Sequence, residues 1–306
     1  MSQFLRITHL RPFVSLAVAA ALIPLEGTLA QEPTVAVFKS AVERVALAAI
    51  VRDSRGRLAT GLEARDFELL DDGRPRRLIG AWSEPSPASV AILMDASGSM
   101  ATKVARARET AQLLVGALKP GVDEVGLYAF DTTLQEVRPF SKTFTSVDGA
   151  WNATKAYGAT SLWDAVASTA QQIASRQQRR ALIVITDGVD SASTLTPSEV
   201  SAIASGLDVP VYMLVITFAL ENDPKDVTAV RGPLADLAAW TGGGSFAIRD
   251  SESAMAATRD IVAELQHQYV IAFEPSSTPG WHPLVLRTRK AGLFVRARSG
   301  YMVSDP

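Results

Sequence analysis

The chain has no cysteine and only three histidines among its 306 residues. Without thiols it can form no disulfide, carries no cysteine nucleophile, and cannot be anchored through a lipidated cysteine. Beyond the first thirty residues the only histidines are His267 and His282, so a metal that prefers thiolate or imidazole finds few donors. Net charge is also scarce. At −2 the chain has no global field to gather nucleic acid or anionic lipid, and a charged partner has to be met by a local patch. A membrane-length apolar run is missing too, since the longest candidate covers only residues 12–25. With 47% hydrophobic and 20% charged residues, the composition is that of a folded globular protein.

That short apolar run has the form of an export signal. Arg6 and Arg11 supply a positive start, residues 12–25 the apolar centre, and Thr28, Leu29 and Ala30 the small residues before a cut near Gln31. Residues 1–30 are therefore expected to be a signal peptide, which makes the mature protein secreted or periplasmic. An uncleaved anchor is the alternative.

After the signal the chain alternates between two grammars. Residues 33–82 form a small β module in which strand patterns run into the polar turns at Asp53 to Arg57 and Asp71 to Pro75. Asp71 and Asp72 are read as turn residues, because Asp-Gly beside Pro is first a tight turn. Glu84-Pro85-Ser86-Pro87 marks a boundary. From 88 to 267, short apolar strands at 90–94, 125–130, 181–185 and 211–216 alternate with amphipathic helices at 104–118, 162–176, 198–205, 234–240 and 254–267. Such alternation implies crossover connections and an α/β, doubly wound, mostly parallel sheet. Residues 134–140 follow a strand too closely for a crossover and are expected to be an antiparallel edge. The tail, 268–303, is β again, and it is expected to pack with 33–82 as a small sandwich-like unit. Within it, Arg287, Arg289, Arg296 and Arg298 recur at period two, which reads as a solvated, edge-protecting face. The glycine run Gly242 to Gly244 follows a helix and precedes a strand, the reverse of a phosphate loop, and is read as a helix cap and turn.

Chemistry gathers at three places. The buried run ending at Met94 is followed by Asp95-Ala96-Ser97-Gly98-Ser99, the run ending at Ile185 by Thr186-Asp187-Gly188, and between them lies Tyr157-Gly158-Ala159-Thr160. Asp-x-Ser-x-Ser alone could be a helix cap. Three oxygen-bearing segments, two of them directly after buried strands, instead describe a cage for a hard cation. In these residues the chain resembles the von Willebrand factor type A (VWA) family and is similar to secreted bacterial VWA-related proteins, which share the flanking Gly61-Leu62 to Asp66-Phe67 and Gln268-Tyr269-Val270 segments.

The resemblance implies a Rossmann-like domain with a metal-ion-dependent adhesion site (MIDAS) built by Asp95, Ser97, Ser99, Thr160 and Asp187. It also implies Mg²⁺, or Mn²⁺ or Ca²⁺, as the ion, and a protein partner that offers an acidic residue to it. Two carboxylates against a divalent ion leave an electrophilic, open centre, which suits protein binding and cell adhesion. A hydrolase needs an added base; Asp190 is the one nearby acid, and as a loop residue it reads as a solvated side chain. The expectation is a non-enzymatic recognition protein without nucleic-acid binding or a membrane span in the mature chain. A scaffold with a structural metal is the alternative, followed by a metal-dependent hydrolase.

Overall fold

A computed structural model describes residues 45–147, 149, 151, 156–217 and 232–303; the expected signal, 1–30, lies outside them. Among these residues the chain starts with β1 (Val45–Asp53), β2 (Phe67–Asp71), β3 (Arg74–Arg76) and β4 (Leu78–Trp82). It continues through β5 (Ala88–Asp95), α1 (Val104–Ala117), β6 (Glu124–Phe130), β7 (Leu134–Ser141), α2 (Leu162–Ala174) and β8 (Arg179–Thr186). Then come α3 (Pro197–Gly206), β9 (Val211–Ile216), α4 (Pro233–Thr241), β10 (Ser245–Ile248) and α5 (Ser251–His267). The tail is β11 (Tyr269–Phe273), β12 (Gly280–Thr288), β13 (Leu293–Ala297) and β14 (Gly300–Val303).

The middle of the chain makes a six-stranded sheet of order β10-β9-β8-β5-β6-β7. Five strands are parallel, and β7 pairs antiparallel with β6 at the edge, as the short connection required. All eight residues of β5 are buried, because helices cover both faces. Val90, Ile92 and Met94 pack with Ala107, Ala111 and Leu114 of α1 and Ala254, Ala257 and Ile261 of α5. Ala91 and Leu93 point the other way, into the layer made by α2, α3 and α4. The fold class is thus an α/β, doubly wound, mostly parallel sheet.

The flanks make two antiparallel sheets, β13-β1-β11-β4 and β14-β12-β2-β3, each mixing N-terminal and C-terminal strands. β1 lies between β11 and β13, and β2 pairs with β12. Leu47, Phe67, Leu69, Ile271, Phe273 and Tyr301 share one core between the two sheets, which gives the sandwich its interior. The Asp-Gly signal acts as expected: Asp72 (φ 51°) and Gly73 (φ 74°) both adopt the left-handed conformation of a two-residue hairpin turn between β2 and β3.

The arginine row departs from its sequence reading. Arg287 and Arg289 are exposed, but Arg296 and Arg298 are drawn into the junction between sandwich and six-stranded sheet. Arg296, together with Arg52 of β1, holds the buried Glu264 carboxylate of α5, the Arg52 bond measuring 2.8 Å. Arg298 donates to the Ser205 carbonyl at 2.9 Å and to the Ala46 carbonyl at 3.2 Å. The two pairs stand on different sheets, Arg287 and Arg289 at β12 and Arg296 and Arg298 at β13, so the pair at β13 meets protein where the pair at β12 meets water. The glycine run is a cap and turn: Gly242 (φ 82°) ends α4, and a Cβ on Gly243 would stand 1.9 Å from the Val211 carbonyl oxygen.

Two expectations follow. In a protein ending at residue 268, β1 loses both neighbours, so limited proteolysis should digest residues 45–82 while the six-stranded sheet persists; a protease-resistant 45–82 segment would contradict the shared core. Glu264→Ala should lower unfolding free energy by about 3–5 kcal/mol in urea titrations, the usual range when one partner is removed from a buried ion pair.

Candidate metal centre

β5 and β8 are neighbours in parallel register, Met94 opposite Ile185, so their carboxyl ends open at the same level. From β5 the chain proceeds to β6 on one side, while β8 leads to β9 on the other. This is the point in an open α/β sheet where the connections diverge and a crevice forms. Asp95 and Asp187 stand at its two lips.

Local hydrogen bonds fix the donors. Asp95 is fully buried; its Oδ1 accepts the Ser97 amide at 2.9 Å and its Oδ2 accepts the Thr186 hydroxyl at 2.6 Å. Thr186 Oγ1 in turn accepts the Gly188 amide at 3.0 Å, which folds the β8 loop back over the strand end. Burial pushes the Asp95 carboxyl above the ordinary range, the Thr186 and Ser97 bonds pull it back, and the negative charge of Asp187 adds to the rise. The Ser97 and Ser99 hydroxyl oxygens stand 3.1 Å apart on a single 3-10 turn.

Thr160 is placed by a loop stitched to both lips. Towards β5, the Tyr157 amide donates to the Ala96 carbonyl and the Gly98 amide to the Gly158 carbonyl, each at 3.1 Å. That approach is close enough that a Cβ on Gly98 would meet the Gly158 oxygen at 3.3 Å. Towards β8, the Thr160 amide donates to Ser191 Oγ at 3.0 Å, and its carbonyl accepts the Ser191 and Ala192 amides at 2.9 Å. Thr160 itself is buried between the two loops.

These donors suit a hard divalent ion. All are oxygens, and the Ser97–Ser99 spacing matches the roughly 3.0 Å that separates neighbouring corners of an octahedron with metal–oxygen bonds of about 2.1 Å.

Three features of this region were not legible from the motif. Thr186 holds Asp95 rather than merely ending a strand. Lys103, four residues beyond Ser99, places its ammonium 3.1 Å from Asp187 Oδ2, with the Asp187 side chain 1% exposed and the lysine side chain 19%. Asp190 is not a loosely solvated side chain: its Oδ1 accepts the Leu162 amide at the start of α2 at 2.9 Å and the Ser193 hydroxyl at 2.5 Å. An Asp in that position caps a helix.

Among the described residues one other group collects ligand-type atoms: Asp71, Asp72 and His282 bring theirs within 4.8 Å of one another. Its hydrogen bonds account for it as a charge network. His282 Nε2 lies 2.7 Å from the Thr278 carbonyl, which can only accept, and Nδ1 lies 3.1 Å from Asp71 Oδ1 and 2.9 Å from Asp72 Oδ2, which as carboxylates also accept. Both ring nitrogens thus face acceptors, an arrangement that is complete when the imidazole is protonated. Asp71 Oδ2 is taken by the Arg76 guanidinium at 2.9 Å and the Tyr301 hydroxyl at 3.0 Å, so two carboxylates face two cations.

The class of the central unit is set by its sheet order and its crevice: a Rossmann-like domain that gathers oxygen donors at the divergence of its two central strands. Residues 90–189 match the model of the von Willebrand factor type A domain. Among solved structures it is similar to BatB from Bacteroides thetaiotaomicron, at 17% identity over 58% of this chain and 98% of that one, with a TM-score of 0.48. It is similar also to a von Willebrand factor type A protein from Catenulispora acidiphila, at 16% identity over 83% and 75% of the two chains and a TM-score of 0.47. The vWF domain of the type V pili tip protein Mfa5 from Porphyromonas gingivalis aligns at 11% identity over 58% and 95%, with a TM-score of 0.48. No curated protein matches.

The His282 network makes stability depend on pH. Burial alone would lower the imidazole pKa, but the Thr278 carbonyl and the Asp71 and Asp72 carboxylates outweigh it and raise the pKa above its ordinary value. A raised folded-state pKa means that the contribution is complete below the unfolded value of about 6.5 and is lost as pH climbs through the folded value. The urea midpoint should therefore fall between pH 6 and alkaline pH, and His282→Gln should flatten that dependence; an unchanged slope in the variant would assign the dependence to other groups.

Proposed function

We propose that this chain is an exported recognition protein whose VWA domain uses a divalent cation, Mg²⁺ or else Mn²⁺ or Ca²⁺, to take up a carboxylate from a protein partner. Asp95, Ser97, Ser99, Thr160 and Asp187 would hold the ion. The observation that carries the reading is the all-oxygen crevice where β5 and β8 diverge, framed by three hydrogen-bonded loops. The bound ion would supply an electrophilic centre with coordination positions left for a partner's oxygen. The other parts of the binding act are done by the chain. Asp95, held by Thr186 and Ser97, fixes the floor, and the Ser97–Ser99 turn presents two hydroxyls at one spacing. Thr160 arrives on a loop of its own, held to the β8 side by its amide and carbonyl, which presents a third hydroxyl to the crevice.

The rim is suited to protein. Tyr157 is 81% exposed and Val189 49% exposed, and each belongs to a loop that frames the crevice. Tyrosine is a residue type enriched in protein interfaces and their hot spots, and Val189 adds apolar surface beside it. Asp190, the acid best placed by sequence to serve as a base, is engaged as a helix cap, which supports recognition over hydrolysis. The Arg6 and Arg11 start and the apolar residues 12–25 support export. Among the described residues no helix is long and apolar enough to cross a membrane. We place the recognition domain at 88–267, carried on a β unit of 33–82 with 268–303.

Mg²⁺ or Mn²⁺ at one hundred times its dissociation constant should stabilise the native protein by about 2.7 kcal/mol, read as a higher melting temperature. Asp95→Ala and Asp187→Ala should abolish the increment. Wild type and variants that melt alike in EDTA and in millimolar metal would refute the metal reading. Thr160→Ala and Tyr157→Ala should reduce recovery of partners from the native exported fraction while leaving the metal-free melting temperature close to wild type. Partners recovered equally by all proteins, and in EDTA, would move recognition to the β unit and leave the metal structural.

A further inference from the structure

Asp95 is fully buried and the Asp187 side chain is 1% exposed, so the crevice confines two carboxylates beyond the reach of most screening water. Asp95 is answered by neutral donors, the Thr186 hydroxyl and the Ser97 amide. Asp187 also has a neutral donor, the Val189 amide at 3.3 Å. In addition it has a full charge, the Lys103 ammonium at 3.1 Å. Lys103 is not a long surface arm that happens to pass by. It forms the cap position of α1, its amide donates to the Met100 carbonyl at 2.7 Å, and the Ala107 amide bonds back to its carbonyl at 3.0 Å. The backbone at the root of the side chain is thereby fixed to the same turn that presents Ser97 and Ser99.

We propose that Lys103 is a built-in counter-ion of the metal centre: it neutralises Asp187 when no divalent ion is bound, and it must yield that carboxylate, wholly or in part, when one enters. Lys103 thereby sets the affinity for the ion. Its charge opposes an arriving dication, and its bond to Asp187 is one the ion has to displace. The same ammonium lets the ion-free domain keep its crevice folded, so binding needs no refolding of the loops. This inference rests on the metal reading of the crevice.

The test is a Mn²⁺ titration, followed by calorimetry and by the electron paramagnetic resonance of free Mn²⁺, on the full mature chain as wild type, Lys103→Gln, Lys103→Arg and Asp187→Ala. Lys103→Gln should bind Mn²⁺ about tenfold more tightly or better, a ratio that corresponds to one decade of dissociation constant. Its EDTA-treated form should melt below wild type, because Asp187 then keeps a buried charge without a cation. Lys103→Arg should stay near wild type in both measurements, and Asp187→Ala should lose most Mn²⁺ binding. A Lys103→Gln protein with wild-type or weaker Mn²⁺ affinity overturns the counter-ion role while leaving the metal site standing. Absence of Mn²⁺ binding in wild type and in Lys103→Gln alike overturns the metal reading and this inference with it.

Discussion

Two buried carboxylates at the ends of adjacent parallel strands are the constraint around which the centre of this protein is arranged. Like charges in a low-dielectric crevice repel, and neither Asp95 nor Asp187 can be hydrated freely. Three described loops at that end of the sheet contribute something to the problem. The β8 loop turns back so that Thr186 can donate to Asp95, the β5 loop offers its Ser97 amide, and α1 begins with a lysine aimed at Asp187. The Tyr157 to Ser161 loop then ties the two sides together through its backbone, with the Ser191 hydroxyl as the one side-chain acceptor. The arrangement is preorganised because so few of its members depend on flexible side chains for their position.

The rest of the molecule is fastened to that sheet by charge as well, but in the opposite sense. At the junction with the sandwich, one buried carboxylate, Glu264, is overcompensated by two guanidiniums from different strands. Arg298 meets the Asp208 carboxylate at 3.2 Å and carbonyls of α3 and β1, and Arg179 at the start of β8 donates to the carbonyls of Leu265 at 2.8 Å and Glu84 at 2.5 Å. Guanidinium suits this work because its planar fork can reach several acceptors at once without losing its charge. A shared apolar core holds the two antiparallel sheets together, while these arginines set how the sandwich meets the helical layers.

Much of this was readable in the chain. Strands buried on both faces must be continuously apolar, so β5, β8 and β9 announced themselves, and the acids and hydroxyls that follow β5 and β8 marked the crevice. The brevity of the link at Asp131 to Thr133 identified β7 as antiparallel. What the sequence concealed had physical reasons. β4 is half-exposed with a glycine at its centre, and β3 is three residues long with a proline, so neither has a period to detect. Arg296 and Arg298 share the alternation of Arg287 and Arg289; what distinguishes docked from solvated is partners far along the chain, Glu264 for Arg296 and Ser205 and Asp208 for Arg298. Lys103 looks like any polar residue before an amphipathic helix, and its partner lies 84 positions further on. Asp190 resembles a loop acid until the amide of Leu162 is seen to need an acceptor. Pairings across such separations leave no mark on local composition.

The interleaving of the first and last strands also has a mechanical side. β1 and β14 belong to the sandwich, and the six-stranded sheet is strung between β4 and β11, where the Ser83 hydroxyl bonds the His267 carbonyl and Arg179 gathers carbonyls from both connecting segments. The crevice-bearing unit therefore hangs as a loop from a closed clasp. Tension between the two ends of the described chain would pass through the sandwich strands and return without crossing β5 or β8. A load taken up at the crevice, by contrast, would converge on that clasp, so the two connecting segments and the arginines that brace them are where pulling from outside is handed to the rest of the molecule.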